Sequence, residues 1–343
     1  MSLFPHCPGM NNCVIYCASR KKYKNVTLKD RVIYAMIWQT VRFALVLLGV
    51  SVISFIILEF VPGDAAELML AARPEAASAE SLAALRRELG LDAPLPIRYL
   101  RWLGRAAMLD FGTSFRSGEQ VSQEILRRLP VTLILACSAF IFTVCLSVAG
   151  GIVSAVFQNR LPDKAHRIWT ISIVSIPDYW LGLMLLLIFS LKLNWFSVIG
   201  SNEIRVFILP VLTLGLSISA AEGRIFRANI LEVFGQDYVL FASAKGLSRT
   251  KVFFRHVFRA AVLPMISMWG MLLGHLLGGA VIVESVFSLP GLGKLAADAV
   301  LHRDLPMIQG TVLTMTLFFL LASRAMDLLY MLLLPRRRNS VRI

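Results

Sequence analysis

The stretch Val131–Phe157 contains 27 consecutive residues without a charged side chain. About 20 mostly apolar residues are enough for a helix to cross the hydrocarbon core of a bilayer. The run is continuous and lacks the alternation of polar and apolar residues that a transmembrane β-barrel requires. This stretch therefore indicates a membrane-spanning helix.

Five further stretches share this apolar character. They are Val41–Val61, Ile168–Leu191, Val206–Ala221, Val262–Val283 and Met307–Leu334. The chain is 57% hydrophobic and 16% charged, against about 45–50% and about 25% in soluble globular proteins. This composition excludes a single water-soluble domain and a disordered chain, and five cysteines in 343 residues do not suit a disulfide scaffold. We predict an all-α polytopic membrane protein with six transmembrane helices.

The net charge of +14 is divided unevenly between the two sides of these helices. Four alternate regions together carry +15, and the three regions on the opposite side sum to zero. The first set is 1–40, 158–167, 222–261 and 335–343, and the second is 62–130, 192–205 and 284–306. Because Lys and Arg concentrate in cytoplasmic loops, we predict that both termini are cytoplasmic. The same rule accounts for the high pI without a nucleic-acid partner.

The segment Tyr238–Pro264 is too polar to span a membrane and too patterned for a simple linker. A run of small residues, including Ala242 and Ala244, leads to Gly246, and Ser248 can cap a second helix. Small residues followed by a glycine turn and exposed aromatic side chains suit a helix that lies in a groove of another protein. The alternative is a solvated basic loop, since this segment also carries Arg249, Lys251, Arg255 and Arg259.

Few charged residues lie within the predicted spans, and such residues are candidates for function. Asp178 follows Pro177, where a broken helix could expose backbone to a cavity, and Glu284 ends the fifth helix. We predict that both carboxylates line a translocation path. His275 lies beside a face of small residues that predicts tight helix packing, namely Gly270, Gly274 and Gly278. For His275 itself, a neutral hydrogen-bonded role is favoured over metal binding.

A nucleotide-binding site is not predicted. The string nearest to a phosphate-binding loop is Pro290–Lys294, but Leu295 follows it instead of Ser or Thr, and the charge pattern places it on the outer side. No cluster of residues within the spans suits catalysis or a metal centre. Any nucleotide hydrolysis is therefore expected to occur on a different subunit.

The pattern of the segment 238–264 resembles the coupling-loop signature of ABC importer permeases, a common form of which is Glu-Ala-Ala, three residues and Gly. Leu240 stands where that signature has Glu. More narrowly, residues 37–338 resemble the first permease subunit of dipeptide, oligopeptide and nickel importers. The matching strings are LLGVSVISFIILEFVPGD (47–64), LGLDAPLPIRYLRWL (89–103), LDFGTSF (109–115), RLPVTLILA (128–136), SIPDYWLG (175–182), YVLFASAKGLS (238–248), FFRHVFRAAVLP (253–264), LLGGAVIVESVFSLPGLGK (276–294) and RDLPMIQG (303–310).

The resemblance implies a type I importer permease fold in a bacterial inner membrane. The implied partners are a second homologous permease, two cytoplasmic ATPase subunits and an extracytoplasmic solute-binding protein, besides membrane lipid. ATP and Mg²⁺ would be bound by the ATPases, and no cofactor by this chain. The implied solute is a peptide, nickel or a metal chelate. A self-contained secondary carrier is the alternative, although it would need ionisable groups within the membrane and often an internal repeat.

The resemblance also assigns regions and residues. Its extent, together with the spans and the charge distribution, divides the chain into a cytoplasmic tail (1–36), a transmembrane permease domain (37–338) and a second tail (339–343). Within the domain, 62–130 would form an extracytoplasmic helical segment and 222–261 a cytoplasmic coupling loop. The implied ATPase-docking residues are Tyr238, Ala242, Ala244, Lys245, Gly246, Leu247, Phe254, Arg255 and His256, with Phe254 as the anchoring side chain.

Overall fold

A computed structural model of the chain describes residues 28–60, 66–67, 70, 78–88, 92–196 and 204–333, and these residues form helices and connecting turns without a β-strand. The chain divides into two compact units, Met1–Gly49 and Val50–Ile343. The helices are α1 (Leu28–Glu59), α2 (Ala79–Glu88), α3 (Leu95–Ala107), α4 (Val121–Val156), α5 (Leu161–Val174), α6 (Asp178–Leu185), α7 (Ile208–Phe234), α8 (Asp237–Ala244), α9 (Arg249–Val252), α10 (Arg259–Val286), α11 (Leu292–Leu301) and α12 (Leu305–Leu333). The all-α class is as predicted.

Among the described residues, five helical segments are long and apolar enough to cross a membrane. They are Thr40–Glu59, Val121–Val156, Arg205–Phe234, Arg249–Val286 and Leu305–Leu329. A sixth candidate is the pair formed by Leu161–Val174 and Asp178–Lys192. The predicted number of six spans therefore agrees with the structure when this pair is counted as one span.

The pair is not the straight helix that we predicted over Ile168–Leu191. Its two parts are bent by 101°, and the break lies just before Asp178, with Pro177 at the N-cap of α6. Proline disfavours the helical conformation in the residue before it, so the break has a local cause. The second part continues from α6 into a π-helical turn, Leu186–Lys192.

Three spans extend into segments that we expected to lie outside the membrane-spanning helices. Helix α4 begins at Val121, so Pro130 lies inside it. Helix α7 continues to Phe234, and residues 249–286 form one helix that includes the π-helical turn Phe253–Phe258. The predicted cytoplasmic loop 222–261 is therefore largely helical. Hydropathy identifies the part of a helix that lies in lipid. It does not identify the ends of the helix, because the backbone hydrogen bonds of a helix can continue into water, where polar side chains are solvated.

Helices α4, α7 and α10 supply most of the large buried side chains. Leu135, Phe226, Ile230, Met265 and Leu276 are fully buried and belong to one hydrophobic core. The predicted small-residue face of α10 packs on α12 at two of its three positions. A Cβ added at Gly274 would lie 2.0 Å from the Phe319 ring, and one at Gly270 would lie 3.2 Å from Met326.

Candidate functional site

The segment that follows α7 is a helix–turn–helix whose turn is set by local sequence. Helix α8 ends at Ala244, and Gly246 has a φ of +80°, a conformation that strains residues with a Cβ. Ser248 caps α9 as predicted, because its side chain accepts a hydrogen bond from the Lys251 backbone N–H. The chain then enters the π-helical turn and continues into α10 without a break.

One face of this segment belongs to the hydrophobic core of the chain. Its buried members are Val239, Ala242, Val252, Phe253 and Val257. Leu247 is half-buried and packs against the same core. Ala242 therefore faces the interior of this chain, where its small size lets α8 approach the core. In this conformation Ala242 is not exposed to a partner, although the resemblance places it among the docking residues.

The opposite face exposes four large side chains, which we call the docking surface: Tyr238, Leu240, Phe241 and Phe254. Phe241 is 69% exposed and Phe254 is 60% exposed. The Phe254 ring lies 5.1 Å from the ring of buried Phe253 and 6.2 Å from that of Phe258, so its base is fixed while its outer face is free. Leu240 and Phe241 were missed in the sequence, although α-helical spacing from buried Val239 and Ala242 places both on the outer face.

The remaining predicted residues of this segment surround the docking surface. Ala244, Lys245, Gly246 and Arg255 are exposed, and His256 is half-buried. Three further exposed cations, Arg249, Lys251 and Arg259, lie on the same segment. The segment thus combines a rigid apolar surface with positive charge, which suits binding to another protein.

The two predicted path residues lie in different environments. Asp178 is half-buried and lines a cavity of about 380 Å³, together with Ser217, Glu222 and His275. The helix break and the adjacent cavity that we expected at Asp178 are present, and its role in a translocation path stays a prediction. His275 is exposed at this cavity, and its ring makes no hydrogen bond within the described part of the chain, unlike the hydrogen-bonded role that we expected. Across the described part of the chain, no group of three His, Cys, Asp or Glu side chains could hold a metal ion.

Glu284 does not line an open path, and its prediction needs correction. Its side chain is fully buried, where it accepts hydrogen bonds from Thr132 Oγ1 at 2.6 Å and from the Lys294 backbone N–H at 3.0 Å. A Cβ added at Gly291 would lie 2.2 Å from the Glu284 carboxyl carbon. The glycines of the string 290–294 therefore allow a turn to close over a buried carboxylate.

Gly293→Ala is expected to destabilise the fold by about 2 kcal/mol or more. A Cβ at this position would lie 2.5 Å from Val281 Cα, and because the obstructing atom is backbone, α10 and α11 would have to separate. The measurement is the thermal unfolding midpoint of detergent-solubilised protein. Gly278→Ala is the control, since a Cβ there meets nothing within 4 Å. Equal midpoints for the two variants would contradict this account of the turn.

A buried ion pair that joins the start of α5 to α7 was missed in the sequence. Asp163 is fully buried and accepts hydrogen bonds from Arg227 at 2.8 and 3.0 Å, from Ser154 Oγ at 2.6 Å and from the Asn159 backbone N–H at 2.9 Å. The sequence signal is modest: Asp163 lies in the first turn of α5 with Pro162 before it, among basic residues. Its partner Arg227 lies 64 positions away.

Two family models match the chain. Residues 147–339 match "Binding-protein-dependent transport system inner membrane component", and residues 32–136 match the N-terminal model of such membrane components. The glutathione transport system permease protein GsiC of Salmonella paratyphi A is 40% identical over 292 residues, which cover 85% of this chain and 94% of that protein. The GsiC protein of Escherichia coli K12 is 39% identical over 289 residues, which cover 84% and 94%. Among solved structures, a chain of the inward-facing MetNI methionine ABC transporter is similar over 62% of this chain and 96% of its own, with 17% identity and a TM-score of 0.48.

Proposed function

This chain belongs to the family of binding-protein-dependent transport system inner membrane components, and from that premise we propose that its docking surface binds an ATPase subunit and that its solute is a peptide. As a member of this family, the chain is a permease subunit of an ABC importer and a multi-pass inner membrane protein. It is a transport component and not an enzyme. Nothing in the comparisons supports the alternative of a secondary carrier.

The observation that carries the docking proposal is the exposure of Phe254 on a buried aromatic base. A large exposed aromatic side chain held at its base loses little conformational entropy when it binds, and such side chains dominate interface energetics. Gly246, with its positive φ, turns the backbone beside this surface. Because glycine has no side chain, the turn leaves room for a partner on the outer face. The surrounding cations favour a groove with an acidic rim.

The proposed assembly places each partner on a different part of the chain. Two ATPase subunits, which would bind ATP and Mg²⁺, engage the docking surfaces of this chain and of a second homologous permease. A solute-binding protein docks on the outer side, and lipid covers the apolar outer faces of the spanning helices. In this scheme both termini are cytoplasmic, as the charge distribution predicts.

The proposed solute is a peptide because the GsiC relatives are named for glutathione, a tripeptide. Nickel or a metal chelate stays a prediction of the sequence resemblance. An uptake assay with the cognate binding protein separates these solutes: radiolabelled glutathione and nickel are offered in turn to vesicles that contain the complete transporter.

Phe254→Ala tests the docking proposal. Truncating an anchoring aromatic side chain is expected to weaken ATPase binding by about 2 kcal/mol, which is about thirtyfold in affinity. The measurement is co-purification of the cognate ATPase subunits with the permease, calibrated by titration of the ATPase. Solute uptake is expected to fall in parallel.

Phe60→Ala is the matched control, because Phe60 is 83% exposed and lies at the end of α1, outside the docking surface. It removes the same aromatic ring and should leave ATPase binding unchanged. If Phe254→Ala retains full ATPase binding at normal yield, the segment is only a basic connector and the docking proposal is wrong.

A further inference from the structure

In the cavity beside Asp178, two buried polar atoms have no hydrogen-bond partner among the residues that the structure describes. Glu222 is 9% exposed, and its Oε2 atom makes no hydrogen bond. The Ser217 hydroxyl is also buried and makes no hydrogen bond. Both side chains line the same cavity. Because buried polar groups are nearly always hydrogen-bonded, and a buried carboxylate without a partner is costly, this pair calls for a polar occupant.

The charge of the cavity wall favours a cation. Glu222 comes from α7 and Asp178 from the start of α6, so two separate elements each contribute a carboxylate. Among the residues that the structure places in the wall, none is Lys or Arg, and His275 is the one side chain that could carry positive charge. A low-dielectric wall strengthens the attraction between these carboxylates and a cation.

The size and the largely apolar wall of the cavity favour an organic cation. Its volume of about 380 Å³ lies within the range of about 300–1,000 Å³ that is typical of small-molecule sites. The rest of the wall is mostly apolar, with Ile218, Met268 and Leu272 among its residues. An ammonium group attached to a larger molecule satisfies both parts of such a wall.

We propose that Glu222, together with Asp178 and the Ser217 hydroxyl, forms a transit site for the ammonium group of the solute. The proposal rests on the proposed function, since a peptide carries such a group. Glu222 accepts from the ammonium at the wall of the path, and Asp178 adds a second negative charge. A transit site has to bind the solute weakly enough to release it. Only one of the two carboxylates is buried, and the other is half-buried and therefore attracts the ammonium group less strongly.

The first test measures the charge preference of the cavity without any solute. Met271 is 70% exposed and lines the cavity, so Met271→Cys in a chain whose five native cysteines are replaced by alanine provides a reporter thiol. The complete transporter is treated with two methanethiosulfonate reagents, one carrying a trimethylammonium group and the other a sulfonate. Glu222→Gln is expected to lower the ratio of the reaction rate of the trimethylammonium reagent to that of the sulfonate reagent by about tenfold. Glu232→Gln is the control, because Glu232 is an exposed carboxylate on the same helix.

The second test measures glutathione uptake and the ATPase activity that the loaded binding protein stimulates. Glu222→Gln is expected to reduce uptake about tenfold while it preserves stimulated ATPase activity, and Glu232→Gln should change neither. An unchanged reagent ratio in Glu222→Gln overturns the proposal, and so does a changed ratio with normal glutathione uptake. If the ratio changes but the wild-type transporter does not import glutathione, the cation site is supported and the proposed solute is refuted.

Discussion

Replacing Asp163 with alanine is expected to reduce the yield of folded, detergent-solubilised permease at least tenfold. The substitution leaves the Arg227 guanidinium, whose side chain is only 18% exposed, without its bidentate partner. Removing one member of a buried ion pair costs about 3–5 kcal/mol, because the other charge remains desolvated. That loss is a large part of the net stability of an ordinary fold, about 5–15 kcal/mol.

The position of Asp163 amplifies this effect, because its partners lie on three different elements. Ser154 belongs to α4, Arg227 to α7, and Asn159 to the turn between α4 and α5, where its φ is +62°. The carboxylate therefore contacts a turn in the left-handed conformation, which Asn adopts more readily than most other non-glycine residues. Loss of the carboxylate is expected to release the turn.

Two further variants test whether the loss of yield comes from an unpaired buried charge or from a general sensitivity of the fold to substitution. In Asp163→Leu with Arg227→Met both charges are removed, and the yield should recover part of the loss, since apolar replacement of a buried pair is often tolerated. Glu232→Gln removes an exposed carboxylate from α7 and should leave the yield unchanged. A normal yield for Asp163→Ala would show that this ion pair does not stabilise the fold.

Features with local causes could be predicted from the sequence. The glycine turn at Gly246, the Ser248 cap and the weakness before Pro177 each depend on a few neighbouring residues. The apolar spans were predictable for the same reason, since hydropathy is read along the chain. Their ends were not, because α7 continues past its apolar part to Phe234.

Features that depend on distant residues could not be predicted. Glu284 looks like a path residue in the sequence, but Thr132, 152 positions away, donates to it in the core. Glu222 was counted within a cytoplasmic loop, whereas the bend before α6 brings Asp178 to the same cavity. Spacing along one helix identifies a face, but it does not say which other helix covers that face.

Phe254 of the docking surface and part of the cavity wall lie on one continuous helix, 249–286. Phe254 lies near its start, and Met271, which lines the cavity, follows 17 residues later. At 1.5 Å per residue the two positions are about 26 Å apart along the axis. The rings of Phe226 and Phe258 lie 6.0 Å apart and tie the start of this helix to α7, which carries Glu222. A displacement of the docking surface can therefore move two walls of the cavity together.

Gly246→Asp is expected to abolish co-purification of the ATPase subunits and to reduce uptake at least tenfold, at nearly normal permease yield. Within this chain the substitution is tolerated sterically, because an added Cβ meets nothing within 4 Å. The φ of +80° costs about 1–2 kcal/mol for a residue with a Cβ. The larger effect is expected at the interface, where the carboxylate would collide with the partner or be desolvated opposite the acidic rim of the proposed groove.

Gly112→Asp separates backbone strain from loss of the interface. Gly112 has a φ of +84°, and a Cβ there also meets nothing within 4 Å, so the same substitution introduces the same strain. Gly112 lies in the predicted extracytoplasmic segment, on the opposite side of the membrane from the docking surface. ATPase co-purification should therefore be normal for Gly112→Asp and lost for Gly246→Asp. If both variants lose the ATPase subunits to the same extent, strain in the chain explains the effect. If both retain them, the turn at Gly246 lies outside the interface and the ATPase must engage another part of the cytoplasmic face.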